Sequence, residues 1–149
     1  MFKGYFFAIL LVIAAPLAAE PQIMSAPQAS SAVNSGEMIL IDIRSPTEWA
    51  ETGVAKGAVA LTMHSPDFGQ KISALLGTQQ DKTIGLICVT GGRTEYVVSI
   101  LAKNGFDNVV DVSEGMMGNG RGAGWIARGM PLITADEAQA AYRILSLKR

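Results

Sequence analysis

One cysteine and one histidine in 149 residues exclude several kinds of chemistry at the outset. Cys88, standing alone, forms no internal disulfide and has no Cys-x-x-Cys partner, which rules out a dithiol oxidoreductase. His64 is equally isolated, and no group of His, Cys or clustered acids has ligand spacing, so no metal site is expected. Charge of one sign is also missing: Lys and Arg number 12 against 13 Asp and Glu. Such a balance argues against nucleic acid and anionic membrane surfaces as partners. Aromatics make up only 7% of the chain, and Trp49 and Trp125 are most simply core residues. The apolar run over residues 5–15 stops at Pro16, short of the roughly 20 residues that a membrane-spanning helix needs.

That run follows a single cation, Lys3, and precedes Pro16-Leu17-Ala18-Ala19. A basic start, a short apolar core and small residues form the layout of a secretory signal peptide. The expectation is therefore a cleavable signal over residues 1–19 and one domain over residues 20–149, with its core at about 25–133 and a terminal helix at about 134–146. The protein would be periplasmic or otherwise exported, with no stable membrane association once the signal is removed. Losing Lys3 leaves 11 cations against 13 anions. In an oxidising compartment an unpaired cysteine is either a buried small hydrophobe or a reactive thiol.

Helix and strand signals alternate along the domain. Residues 20–25 read as a tether. Ser25 caps a helix over residues 26–35 that has Pro27 in its first turn. Residues 38–43 form an apolar run suited to a strand buried on both faces. Ser45-Pro46-Thr47-Glu48 is a capping box opening a helix to about residue 51. A turn over 53–57, a strand at 58–61 and a helix at 67–76 stopped by Gly77 follow. The next strand spans 83–89, a helix spans 94–104 and ends at Gly105, and another strand spans 109–112. Residues 114–124 are glycine-rich and irregular, and Thr134 and Glu137 box the start of the last helix. This order predicts an α/β fold with a central, mainly parallel sheet and helices on both faces.

In such sheets ligands sit at the carboxyl ends of strands, where the next helix presents its N-terminus. Cys88 occupies such a strand end, and the loop Cys88-Val89-Thr90-Gly91-Gly92-Arg93 leads into a helix. Two adjacent glycines allow positive φ angles, so successive amides turn inward around one point. The helix terminus and Arg93 add positive charge, an environment in which a thiol ionises readily and a sulfur oxyanion is welcome. The bland reading is a structural cysteine beside a turn.

Cys-x-x-Gly-x-Arg-Thr at residues 88–94 resembles the active loop of single-domain rhodaneses. Asp42-Ile43-Arg44-Ser45-Pro46-Thr47-Glu48-Trp49 is similar to the family's first signature, and Gly57-Ala58 to its second half. Gly124-Trp125-Ile126-Ala127-Arg128-Gly129-Met130-Pro131-Leu132 is similar to its closing segment. The resemblance implies a sulfurtransferase of the thiosulfate sulfurtransferase class. Catalytic Cys88 would take sulfane sulfur from a small anion such as thiosulfate, hold it as a persulfide without any cofactor, and pass it to cyanide, a thiol or a protein. Val89, Thr90, Gly91, Gly92 and Arg93 would bind the donor, with Arg93 orienting it and Asp42 and Arg44 supporting the loop from below.

Departures from the family pattern are Val54 in place of a common histidine, Ala60 in place of a common asparagine, and neutral Val89 and Thr90 where some thiosulfate users are basic. Residues 116–124 also form a longer link, with Met116, Met117 and Arg121 as candidate walls of the site. The alternatives are a non-catalytic rhodanese-like binding or sensing module and a cysteine phosphatase. A tyrosine phosphatase places five residues between its cysteine and arginine, and this chain has four.

Overall fold

Parallel pairing dominates the computed structural model, which describes residues 20–148. The expected signal peptide lies outside the described residues. Strands β1 (Gln22–Met24), β2 (Met38–Asp42), β4 (Ala58–Ala60), β5 (Thr83–Ile87) and β6 (Val109–Val112) form one sheet in the order β1-β6-β5-β2-β4, every pair parallel. β3 (Val54–Ala55) and β7 (Leu132–Ile133) make a small antiparallel pair. The helices are α1 (Ala26–Asn34), α2 (Pro46–Thr52), α3 (Phe68–Thr78), α4 (Gly92–Lys103), α5 (Gly124–Ala127) and α6 (Ala135–Leu147).

The two faces of the sheet bury separate cores, as strands covered by helices on both sides must. On one face Leu40, Ile87 and Val112 pack with Ala26 and Ala29 of α1, Trp49 of α2 and Trp125 of α5. On the other, Ile41, Leu86 and Val109 pack with Ile72, Leu75 and Leu76 of α3 and Val97, Val98 and Leu101 of α4. Each such aliphatic side chain, fully buried, contributes about 1.5–3 kcal/mol. The terminal helix α6 adds Ala138 to the first core, while Ala141, Tyr142 and Leu145 lie against the second.

Three helices start with reciprocal capping boxes, Ser25 with Gln28, Ser45 with Glu48 and Thr134 with Glu137. Local chemistry thus sets where α1, α2 and α6 begin. Several sequence expectations are corrected. The tether at residues 20–25 contains the edge strand β1, whose residues pair with Val110, Asp111 and Val112. The turn at residues 53–57 contains β3. Helix α3 runs through Gly77 to Thr78, because the burial of Leu75 and Leu76 outweighs the roughly 1 kcal/mol propensity cost of a glycine. Helix α4 starts at Gly92 rather than Thr94, and β5 ends at Ile87 rather than residue 89. The irregular stretch gives way to a short helix, α5.

Candidate functional site

β5 is the middle strand of the sheet, and Cys88 is the first residue beyond it. Its thiol therefore sits at the carboxyl edge, flanked by the chain leaving β2 and the chain leaving β6. Ile43 N–H donates to Ile87 O at 3.0 Å on one side, and Met116 N–H donates to Cys88 O at 2.9 Å on the other. Cys88 is 1% exposed, at the floor of its loop.

Gly91 shapes that loop. It caps α4 in the left-handed region at φ +86°, and its N–H donates to Cys88 Sγ at 3.2 Å. A Cβ here would lie 2.2 Å from Ser113 O, so both conformation and space demand glycine. Gly92 does not share this role: its φ is negative, and it forms the first turn of α4. The expectation of two left-handed glycines is corrected to one. Thr94 completes the inner side, its hydroxyl donating to Gly91 O at 2.9 Å and lying 3.6 Å from Cys88 Sγ.

The glycine-rich segment after β6 holds the loop's outer side. Met117 N–H donates to Val89 O at 2.8 Å, and Asn119 Nδ2 donates to Thr90 O at 2.7 Å and Ser113 O at 2.6 Å. Gly115, at φ +65°, lets this segment approach, since a Cβ there would meet Val89 O at 2.5 Å. Carbonyls at positions 88, 89 and 90 are thus engaged by one segment, while the Gly91 amide serves the sulfur. Of the candidate wall residues, Met116 is fully buried in the core, whereas Met117 and Arg121 are on the surface.

Arg93 does not stand free over the loop. Its Nη1 donates to Glu48 Oε2 at 3.0 Å and its Nη2 to Glu48 Oε1 at 2.6 Å, a two-pronged pair joining α4 to α2. The bonds from Arg93 hold the Glu48 carboxyl at about 2, against partial burial and with help from the Ser45 amide and hydroxyl. Asp42 and Arg44 lie deeper, paired at 2.7 Å with 0% and 1% exposure. Arg44 also donates to Thr52 Oγ1 at 2.7 Å and Gly53 O at 2.8 Å, so this pair knits the end of β2 to the end of α2. Val89 is partly buried and Thr90 exposed, as is His64.

Two carboxylates near the site escaped sequence reasoning. Glu114, 2% exposed, accepts from Gly124 N at 2.9 Å, Ala26 N at 3.3 Å and Arg128 Nε at 2.8 Å. Burial works against its charge, but the Arg128 guanidinium and the two amides outweigh it and hold the carboxyl below its usual range. Asp111, in β6, is 1% exposed, and neither carboxylate oxygen has a hydrogen-bond partner. A polar residue inside an otherwise apolar strand was the available signal for Asp111, and an acid beside a glycine was a weaker one for Glu114.

The geometry of a cysteine at a strand end, ringed by a loop that opens a helix, has a family match. A model of the rhodanese-like domain fits residues 25–119. The chain belongs to the rhodanese-like domain family. Among relatives, an uncharacterized Rickettsia prowazekii protein, RP600, is 24% identical over 98 residues, covering 62% of this chain and 80% of that protein. Among solved structures, the Alr3790 protein from Anabaena superposes with a TM-score of 0.60 at 21% identity, over 83% of this chain and 90% of that one. A Rhodopseudomonas palustris protein of unknown function, RPA3614, described as a possible tyrosine phosphatase, superposes at 0.56 with 22% identity, over 76% and 85% of the two chains. The shared α/β architecture places the Cys88 loop of this rhodanese-like domain at the edge where α/β sheets bind ligands.

Proposed function

We propose that this rhodanese-like domain is a sulfurtransferase that carries sulfane sulfur on Cys88. The observation that carries the reading is the Gly91 N–H aimed at Cys88 Sγ from the start of a 12-residue helix. An amide and a helix N-terminus directed at sulfur favour its anionic forms, thiolate and persulfide alike. The thiolate attacks the outer sulfur of a donor such as thiosulfate, a new S–S bond forms, and the donor's S–S bond breaks to release sulfite. A thiophilic acceptor, cyanide or a thiol, then attacks the outer persulfide sulfur and regenerates the thiolate. Neither step needs a cofactor or a general base, because attack of a thiolate on sulfur with sulfite leaving transfers no proton.

Val89, Thr90, Gly91 and Gly92 supply the rim that a small anion meets. Arg93 contributes the N–H groups not committed to Glu48, at a position fixed by that pair. Asp42 and Arg44 act from beneath, holding the turn between β2 and α2. With four residues between Cys88 and Arg93, and with Arg93 drawn to Glu48, the loop suits sulfur better than a phosphoryl group. Export completes the reading: the mature chain begins at Glu20 and works outside the cytoplasm on a small sulfur anion and a thiol or protein acceptor. The test is thiocyanate formation from thiosulfate and cyanide, run beside Cys88→Ser. Turnover that vanishes in the variant supports sulfur transfer; turnover that survives it refutes a Cys88 carrier.

A further inference from the structure

A left-handed glycine explains how the loop can aim an amide at Cys88 Sγ, but not what keeps the amide there. Thr90 C=O and Gly91 N–H belong to one planar peptide unit and point in opposite directions. Turning that unit over changes ψ of Thr90 and φ of Gly91 and little else, the change that separates a type II turn from a type I turn. It would take Gly91 to negative φ, which glycine adopts about as readily as its present +86°. The Thr90 carbonyl oxygen would then face the sulfur in place of the N–H, and its partial negative charge would oppose a thiolate or persulfide.

The carbonyls on either side are fixed by backbone groups. Cys88 O accepts from Met116 N–H at 2.9 Å, Val89 O from Met117 N–H at 2.8 Å and Gly91 O from Glu95 N–H at 3.0 Å. Thr90 O is held differently: among the described residues its donor is a side chain, Asn119 Nδ2, at 2.7 Å. The same nitrogen donates to Ser113 O, just past β6, at 2.6 Å, and Asn119 Oδ1 accepts from Arg121 N–H at 2.6 Å. Turned the other way, the amide would set its oxygen against two carbonyls, so these partners fix which end is nitrogen. The side chain is carried on a small hairpin, closed by backbone bonds in both directions between Asn119 and Gly122.

We propose that Asn119 is a positioning residue for Cys88: by holding Thr90 O outward it fixes the Thr90–Gly91 peptide unit with its N–H on the sulfur, and so tunes the reactivity of that thiol. Gly91 supplies the conformational freedom, and Asn119 selects which end of the dipole the sulfur meets. The anchor behind the clamp is firm, because Ser113 N–H donates to Met24 O of the edge strand at 3.1 Å. Asn119 acts through the peptide unit, with its own bond on the carbonyl side and the Cys88 sulfur on the amide side. This inference rests on Cys88 being a reactive thiol and does not require turnover of thiosulfate.

The test is the rate of iodoacetamide alkylation of Cys88 across pH in the full protein, with Asn119→Ala and, on the same hairpin, Gly120→Ala. Alanine at position 119 removes the clamp, whereas a Cβ at Gly120 meets nothing within 4 Å and leaves it in place. Asn119→Ala should move the midpoint of the rate profile up by about one pH unit, slowing alkylation about tenfold at neutral pH with the alkaline plateau unchanged. Gly120→Ala should stay within about twofold of wild type. An unmoved midpoint in Asn119→Ala, or a Gly120→Ala profile that shifts with it, would overturn the proposal. Amide NMR spectra read the positioning itself: the Gly91 proton should move downfield as Cys88 ionises in wild type, and this response should shrink in Asn119→Ala. An undiminished response would overturn the proposal. If Asn119→Ala does not fold, wild type alone decides. Its Asn119 side-chain amide protons should exchange slowly with water on both sides of the midpoint, and exchange as fast as in free asparagine would overturn the clamp. Failure of the thiocyanate assay would refute the sulfur-transfer reading and leave this alkylation test intact.

Discussion

Gly91 and Gly92 are neighbours in the same loop, yet replacing each with alanine should have opposite results. At Gly91 the backbone sits at φ +86°, where an L-residue costs roughly 1–2 kcal/mol. The new Cβ would also lie 2.2 Å from Ser113 O and 3.2 Å from Asn119 Nδ2. The first contact is backbone at the end of β6 and cannot move aside cheaply, so overpacking adds about 1–3 kcal/mol. Gly91→Ala should therefore lose about 2–5 kcal/mol of stability, or relieve the clash by shifting the loop and withdrawing the amide from Cys88 Sγ. At Gly92 a Cβ meets nothing within 4 Å, and φ is negative at the start of a helix. Gly92→Ala should be neutral or stabilise by about 0.4–1 kcal/mol. Urea unfolding of both variants, with alkylation of Cys88 as a local probe, measures the difference. Equal effects at the two positions would refute the assignment of the loop's conformation to Gly91 alone.

Other consequences follow from the ion pairs. The Glu48 carboxyl is held at about 2, below its ordinary 4.5, so its contribution to stability is full above about pH 5 and lost as pH falls towards 2. Both partners are partly open to water, which reduces the contribution to about 1–2 kcal/mol. Glu48→Gln should remove that acid dependence in urea titrations between pH 2 and 5 (roughly the span of the two values), and an unchanged profile would contradict the pairing. Glu114→Ala strands the Arg128 guanidinium and the Gly124 and Ala26 amides together, and should cost about 3–5 kcal/mol in urea unfolding. A loss under 1 kcal/mol would show that these groups find other partners. Export predicts Glu20 as the first residue of the mature protein in N-terminal sequencing, and a chain that retains Met1 would contradict it.

The parts of this molecule that were legible in its sequence are those set by nearby residues. Ser45 with Glu48 and Thr134 with Glu137 announce helices because both halves of each box lie within three positions. The apolar strands β2 and β6 are plain for a similar reason. What was not legible depends on distant partners. Gln22–Met24 is three residues long, and only β6, far along the chain, makes it a strand. Arg93 reads as a free cation until the fold brings up Glu48, 45 residues earlier. Gly92 reads like Gly91 until α4 absorbs it. Asn119 looks like loop filler, yet its side chain ties together the Thr90 and Ser113 carbonyls. The cysteine, its loop, the sheet edge and a longer glycine-rich link beside the site were all visible in sequence; that Met117 and Asn119 of that link hold the loop from outside was not.

The central claim is that Cys88 carries the sulfur, and intact mass of the full protein after exposure to thiosulfate tests it most directly. The account predicts one added sulfur atom on the peptide containing Cys88, lost on treatment with cyanide with release of thiocyanate, and absent from Cys88→Ser. An unmodified Cys88 under conditions where thiocyanate is being formed, or an added sulfur that persists in Cys88→Ser, would contradict it.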